Sequence, residues 1–118
     1  MASNPSTPHG VVFRCAALKG VAGALIVSSE GLAVTSRLPK NLSPDTLAAF
    51  VPQIFNRMNH ATTGLAMGQL TSLVFNLENV PWQILRVHDL YLTTLGYAGE
   101  SLPVTQLAGL AAELEKPN

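Results

Sequence analysis

The groups in this 118-residue chain that could do chemistry are three histidines, one cysteine and seven carboxylates. His9, His60 and His88 fall in an N-terminal stretch, a long amphipathic segment and the end of a strand-like run. None has a second His or Cys at the spacing of zinc ligands, so no metal is expected. His88-Asp89 has the residue types of a base and its orienting acid, but neighbours on a strand point to opposite faces. No serine or cysteine stands where a hydrolase motif would place a nucleophile, so the pair reads as a turn. Glu30, Asp45, Glu78, Asp89, Glu100, Glu113 and Glu115 read mostly as turn, helix-start or outward helix positions, and no two form a recognisable acid–base pair. Cys15 lies in an apolar helical run with no clear basic neighbour or helix N-terminus to ionise it, which makes it a small core residue rather than a nucleophile. Gly20-Val-Ala-Gly23 precedes a strand instead of joining a strand to a helix, and it lacks the lysine and Ser/Thr of a phosphate loop. The chain therefore reads as no enzyme and as needing no cofactor.

Composition narrows the remaining choices. Seven basic residues balance seven acidic ones, which removes the electrostatic drive toward nucleic acid or an anionic membrane. Only 12% of residues are charged while 47% are hydrophobic, against about 25% charged in an ordinary domain. That leaves too little charge to cover a small globule, so part of its apolar surface is expected to meet a partner. No apolar run approaches the roughly 18 residues that span a bilayer, and one cysteine can form no internal disulfide. No membrane insertion and a cytoplasmic location are expected. The length fits one domain, with residues 1–11 as a loosely ordered, proline-containing tail and residues 12–118 as the domain.

A short helix is expected over residues 12–19, closed by Gly20. Gly23 to Val27 and Leu32 to Ser36 then read as two strands joined by Ser-Ser-Glu-Gly, with Gly31 supplying a positive φ. Both faces of the first strand are apolar, which places it inside a sheet. Arg37, Pro39 and Lys40 mark the second as an edge. Leu70 to Leu77, a run starting at Trp82, and Leu90 to Tyr97 form a three-strand meander with turns at Glu78-Asn79 and His88-Asp89. Trp82 fits a contact with a partner or a core position under the last helix equally well. Residues 103–116 read as a final amphipathic helix with Glu113 and Glu115 outward.

Ser43-Pro44-Asp45 is a helix start: the serine oxygen caps free amides, proline lacks one, and aspartate faces the positive dipole end. The helix should reach about residue 66, bent at Pro52, because the apolar period continues in phase on both sides of that proline. Leu47, Val51, Ile54, Met58 and Leu65 form one stripe, and Phe50, Phe55 and Ala61 widen it beyond a single core face. Burying each large side chain is worth about 1.5–3 kcal/mol. A sheet on one side and a second chain on the other would remove that deficit.

The order of elements, and Leu18-Lys-Gly-Val-Ala-Gly-Ala-Leu-Ile-Val-Ser-Ser-Glu-Gly-Leu-Ala-Val-Thr-Ser36 in particular, resembles the Roadblock/dynein light chain family. The resemblance implies an α+β, profilin-like fold: a five-stranded antiparallel sheet with the long helix on one face and the shorter N- and C-terminal helices on the other. It also implies a homodimer formed through the long helix and the third strand, and a non-enzymatic scaffold for a small Ras-like GTPase or another signalling protein. Phe50, Ile54, Phe55, Met58, His60, Leu73 and Phe75 are then the expected interface. The alternative is a module of PAS/GAF-like type that senses a small molecule, or a cargo adaptor of dynein-light-chain type.

Overall fold

The structure, a computed structural model, describes residues 7–114. Its elements run α1 (Pro8–Ala16), β1 (Val21–Ser28), β2 (Ala33–Arg37), α2 (Pro44–Gly64), β3 (Ser72–Leu77), β4 (Val80–Val87), β5 (Leu90–Gly96) and α3 (Val104–Glu113). The strands form one antiparallel sheet in the order β2-β1-β5-β4-β3. The sheet is sandwiched. On one face Ala24, Ile26, Leu85 and Leu92 pack with Val11, Val12 and Cys15 of α1 and Leu107 and Ala111 of α3. On the other, Leu25, Val27, Ile84 and Tyr91 pack with Ala48, Val51 and Phe55 of α2. Alternation along β1 feeds both cores, as its two apolar faces require.

The first helix begins earlier than the sequence predicts. Thr7 caps it, its hydroxyl accepting from the Gly10 amide at 3.1 Å with Pro8 behind it, the same device as Ser43-Pro44 at α2. Val11 and Val12 are fully buried, so residues 8–11 belong to the domain and not to a loose tail. Residues 1–6 of that tail lie outside the described residues. Gly31 takes φ +86° in the β1–β2 turn, while Glu78 and His88 adopt left-handed φ of 55° and 56° in the next two. His88 is exposed at its turn, and its carbonyl accepts from Arg86 Nε at 3.3 Å. The helix α2 is continuous through Pro52.

Two placements differ from expectation in α3 and β4. Glu113 is not outward: both its oxygens accept from the Arg14 guanidinium, at 2.6 and 3.1 Å, tying α3 to α1. Trp82 is buried, but on the α2 side of the sheet rather than under α3, with its ring stacked on Phe75 at 6.3 Å between centroids.

Burial pushes the Cys15 thiol up to about 11 from an ordinary 9. The thiol is therefore protonated at neutral pH. Its native-state pKa lies above the unfolded one, so between about pH 9 and pH 11 the unfolded chain loses a proton that the native chain keeps, and stability falls as pH rises through that window. Denaturant titrations at pH 8 and pH 10.5 should show a lower midpoint at the higher pH, and Cys15→Ala should flatten the difference.

Candidate functional site

The helix α2 has three sides. Ala48, Val51, Pro52 and Phe55 are buried on the sheet, at the three- and four-residue steps of one helical face. Leu47, Phe50, Ile54, Met58, Ala61 and Leu65 form an adjoining apolar flank; Phe50 is 54% exposed, Ile54 43% and Met58 44%. Gln53, Arg57 and His60 point outward and are exposed. The stripe read from the sequence is thus the flank rather than the core face, except for Val51. Phe55 corrects the expected interface: it is completely buried and meets Tyr91 edge-on at 5.2 Å, so it is a core residue. His60 is exposed on the outward polar side and stands apart from the flank.

The flank overhangs a groove. The main packing of α2 is on β1, β2 and β5, which leaves a space of about 320 Å³ between its N-terminal half and the β3–β4 hairpin. Leu42, Phe50 and Ile54 form one wall and Phe75, Leu77 and Trp82 the other, with Ile84 and Thr93 also contributing. Leu73 and Phe75 are half-buried on the same face of β3. Five of the seven expected interface residues, Phe50, Ile54, Met58, Leu73 and Phe75, therefore sit together along one border of the molecule.

The lining carries no charged side chain. The Thr93 hydroxyl is buried without a hydrogen-bond partner. Leaving such a group unpaired costs about 1–3 kcal/mol. Thr93→Val, of nearly the same shape, is expected to raise the unfolding free energy by about 1 kcal/mol, read as a higher denaturant midpoint with an unchanged slope.

The two edges of the sheet are unlike. At β2 the pairing with β1 slips between Ile26 and Val27, leaving Val34 as an extra residue, and Arg37 and Pro39 follow. A bulge, a charge and a proline are the devices that keep edge strands from pairing. At β3, Ser72 to Leu77 pair with β4 in unbroken register and contain neither charge nor proline. Its outer backbone groups form an open template. Between Asp45 and Glu78 the only Lys, Arg, Asp or Glu is Arg57, so α2 and β3 together make an almost uncharged border.

Among the described residues no three His, Cys, Asp or Glu side chains cluster as metal ligands, and no helix is long and apolar enough to cross a membrane. Arg57, Leu42 and Thr93 belong to this border without being expected there from sequence. The near-absence of charge from residue 46 to 77 is the available signal for Arg57; Leu42 and Thr93 join the groove only through the fold.

Comparison with known proteins agrees with this architecture. A search by sequence against curated proteins gives no match. MglB of Myxococcus xanthus is similar in structure, with a TM-score of 0.82 at 14% identity, covering 91% of this chain and 90% of that one. An MglB with a tetrameric arrangement has a TM-score of 0.76 at 18% identity, covering 98% and 90%. Profilin of Schizosaccharomyces pombe has a TM-score of 0.60 at 18% identity, covering 92% and 94%. At such identities these likenesses speak for the fold, which is profilin-like. The model of the Roadblock/LC7 domain matches residues 11–95, which run from within α1 to the penultimate residue of β5, and the chain belongs to that family.

Proposed function

We propose that this chain is a non-catalytic, cytoplasmic regulatory platform that dimerises with itself through α2 and β3 and binds a small Ras-like GTPase or a related signalling protein. The observation that carries the reading is the coincidence of an unguarded β3 edge with an exposed apolar flank on the helix beside it. Phe50, Ile54, Met58, Leu73 and Phe75 line that border. An edge strand without bulge, charge or proline is a liability in a lone domain. Pairing β3 with β3 of a second copy satisfies its free amides and carbonyls while covering the flank. Such a two-fold contact is self-complementary by construction.

The outward side of α2, with Gln53, Arg57 and His60, stays free in such a pair. It is the surface offered to the signalling partner. An arginine with no competing acid nearby in sequence suits an acidic contact. The test is to titrate the chain against small Ras-like GTPases of its own organism, each loaded with GDP or with a non-hydrolysable GTP analogue. Binding that depends on the nucleotide, and is lost in Arg57→Glu, is expected. Absence of binding in both nucleotide states across the set would overturn the GTPase reading and leave the dimer standing.

A further inference from the structure

We propose that the furrow between α1 and α3, on the face of the sheet turned away from α2, is a docking site for an acidic segment of a partner protein that carries one large apolar side chain. The inference stands apart from the use of α2 and β3 proposed above. The first helix packs on β1, β2 and α3. Beside the Arg14–Glu113 pair that bridges them, α1 and α3 leave a furrow of about 490 Å³. Its apolar lining is Phe13, Ala17, Leu18 and Leu110. Phe13 is 52% exposed there. A second hollow of about 210 Å³ opens on the β2 side of Phe13, against Ala16, Ala17 and Arg37. The two together cross α1 from α3 to the guarded edge strand.

Gly109 lies on the wall of the furrow in the middle of α3. Glycine inside a helix is destabilising relative to alanine, so its presence calls for a packing reason. None exists among the described residues, because a Cβ placed there meets nothing within 4 Å. The missing side chain leaves room for a large apolar group of another molecule to lie against the helix backbone beside Leu18 and Leu110. Charge names the rest of the occupant. Residues 1–40 hold four bases, Arg14, Lys19, Arg37 and Lys40, and one acid, Glu30, whereas the rest of the chain holds three bases and six acids. Glu30 sits in the β1–β2 turn, at the far end of β2 from Arg37, and Glu113 faces Arg14. The Arg37 guanidinium lies over the Phe13 ring, 4.9 Å from its centroid, and pairs with no carboxylate of the described residues. Stacking orients an arginine while leaving its N–H edges free to grip a carboxylate at two points. Lys19, which follows Leu18 of the lining, is exposed and equally unpaired. The other described acids of this chain sit singly in turns, loops and helix ends, so a second copy offers no acidic strip. A planar lipid surface would touch only the rims of a furrow.

Selection from a phage-displayed random dodecapeptide library on the immobilised wild-type chain tests the site. Enriched sequences are expected to combine acidic residues with Leu, Phe or Trp, and a synthetic peptide of that sequence should bind less tightly as salt rises. Arg37→Glu is at an exposed position and keeps a charge on the edge strand. Gly109→Leu enters open space and favours the helix. Each should weaken the peptide about tenfold or more without lowering the denaturant midpoint. Arg57→Glu reverses the same charge on α2, across the sheet, and should leave peptide affinity unchanged, so failure here is distinguishable from failure of the GTPase reading. Absence of enrichment, enriched peptides without acidic residues, affinity retained in either Arg37→Glu or Gly109→Leu, or affinity lost in Arg57→Glu would overturn the proposal. Binding to phosphatidylserine vesicles that Arg37→Glu abolishes, by a chain that selects no peptide, would overturn it in favour of a lipid surface.

Discussion

Under the self-association proposed above, Ile54→Glu is expected to yield folded single chains. Ile54 stands midway along the apolar flank and is 43% exposed, so in the isolated chain a carboxylate there can reach water and the fold should survive. In the proposed dimer the same carboxylate would be buried among apolar side chains of the interface. An uncompensated buried charge costs about 3–5 kcal/mol, and each 1.4 kcal/mol is about a factor of ten in affinity. A dissociation constant raised at least about a hundredfold follows from one such charge, and the symmetric interface contains two. Gln53→Glu provides the control. Gln53 sits one residue away on the outward side, exposed, with its amide bonded to the Ala49 carbonyl at 3.1 Å. Its charge would remain in water and the dimer should persist. Sedimentation velocity on the two variants, with circular dichroism to verify folding, separates the outcomes; equal dimerisation of both would remove α2 from the interface.

Phe55→Ala is expected to have the largest effect on stability. Phe55 has no solvent exposure and packs among Leu25, Val27, Val51, Ile84 and Tyr91. Its truncation deletes that packing and the edge-to-face contact with Tyr91. Large-to-small changes of this kind cost about 3–5 kcal/mol, a sizeable part of the roughly 5–15 kcal/mol typical of a domain. Phe50→Ala is the matched comparison on the same helix. Phe50 is more than half exposed, so its loss should leave chain stability nearly unchanged and weaken association instead. Denaturant midpoints taken at a concentration where both variants are monomeric test the contrast. Similar losses for the two phenylalanines would mean that the core and the flank are not distinct.

The contrast between these phenylalanines also marks how far the sequence could be read. Alternation placed β1 inside the sheet with two apolar faces, Gly31 placed its turn, and Ser43-Pro44-Asp45 placed the start of α2, because each rests on a local steric or hydrogen-bonding rule. An excess of apolar surface on α2 was legible from its periodicity. Which stripe faced the sheet was not. Two stripes one residue apart in phase, Ala48-Val51-Phe55 and Leu47-Ile54-Met58, carry comparable hydrophobicity, and only the placement of α2 over β1, β2 and β5 chooses between them. The start of α1 was legible and overlooked: Thr7-Pro8 carries the same capping chemistry as Ser43-Pro44, but lies in a stretch whose prolines and small polar residues resemble a linker. The Arg14–Glu113 pair joins residues 99 apart in sequence, and no local pattern announces it. Of the seven residues expected at the interface, five line one border of the molecule, Phe55 lies in the core, and His60 faces outward.

Self-association requires α2 and β3 to present one continuous surface that a second copy covers. Sedimentation equilibrium of the wild-type chain from low micromolar to several hundred micromolar tests this most directly. A mass of twice the chain's 12.5 kDa at the upper concentrations, falling to the single-chain mass in Ile54→Glu, is the predicted result. A stable single-chain mass across the whole range would contradict it.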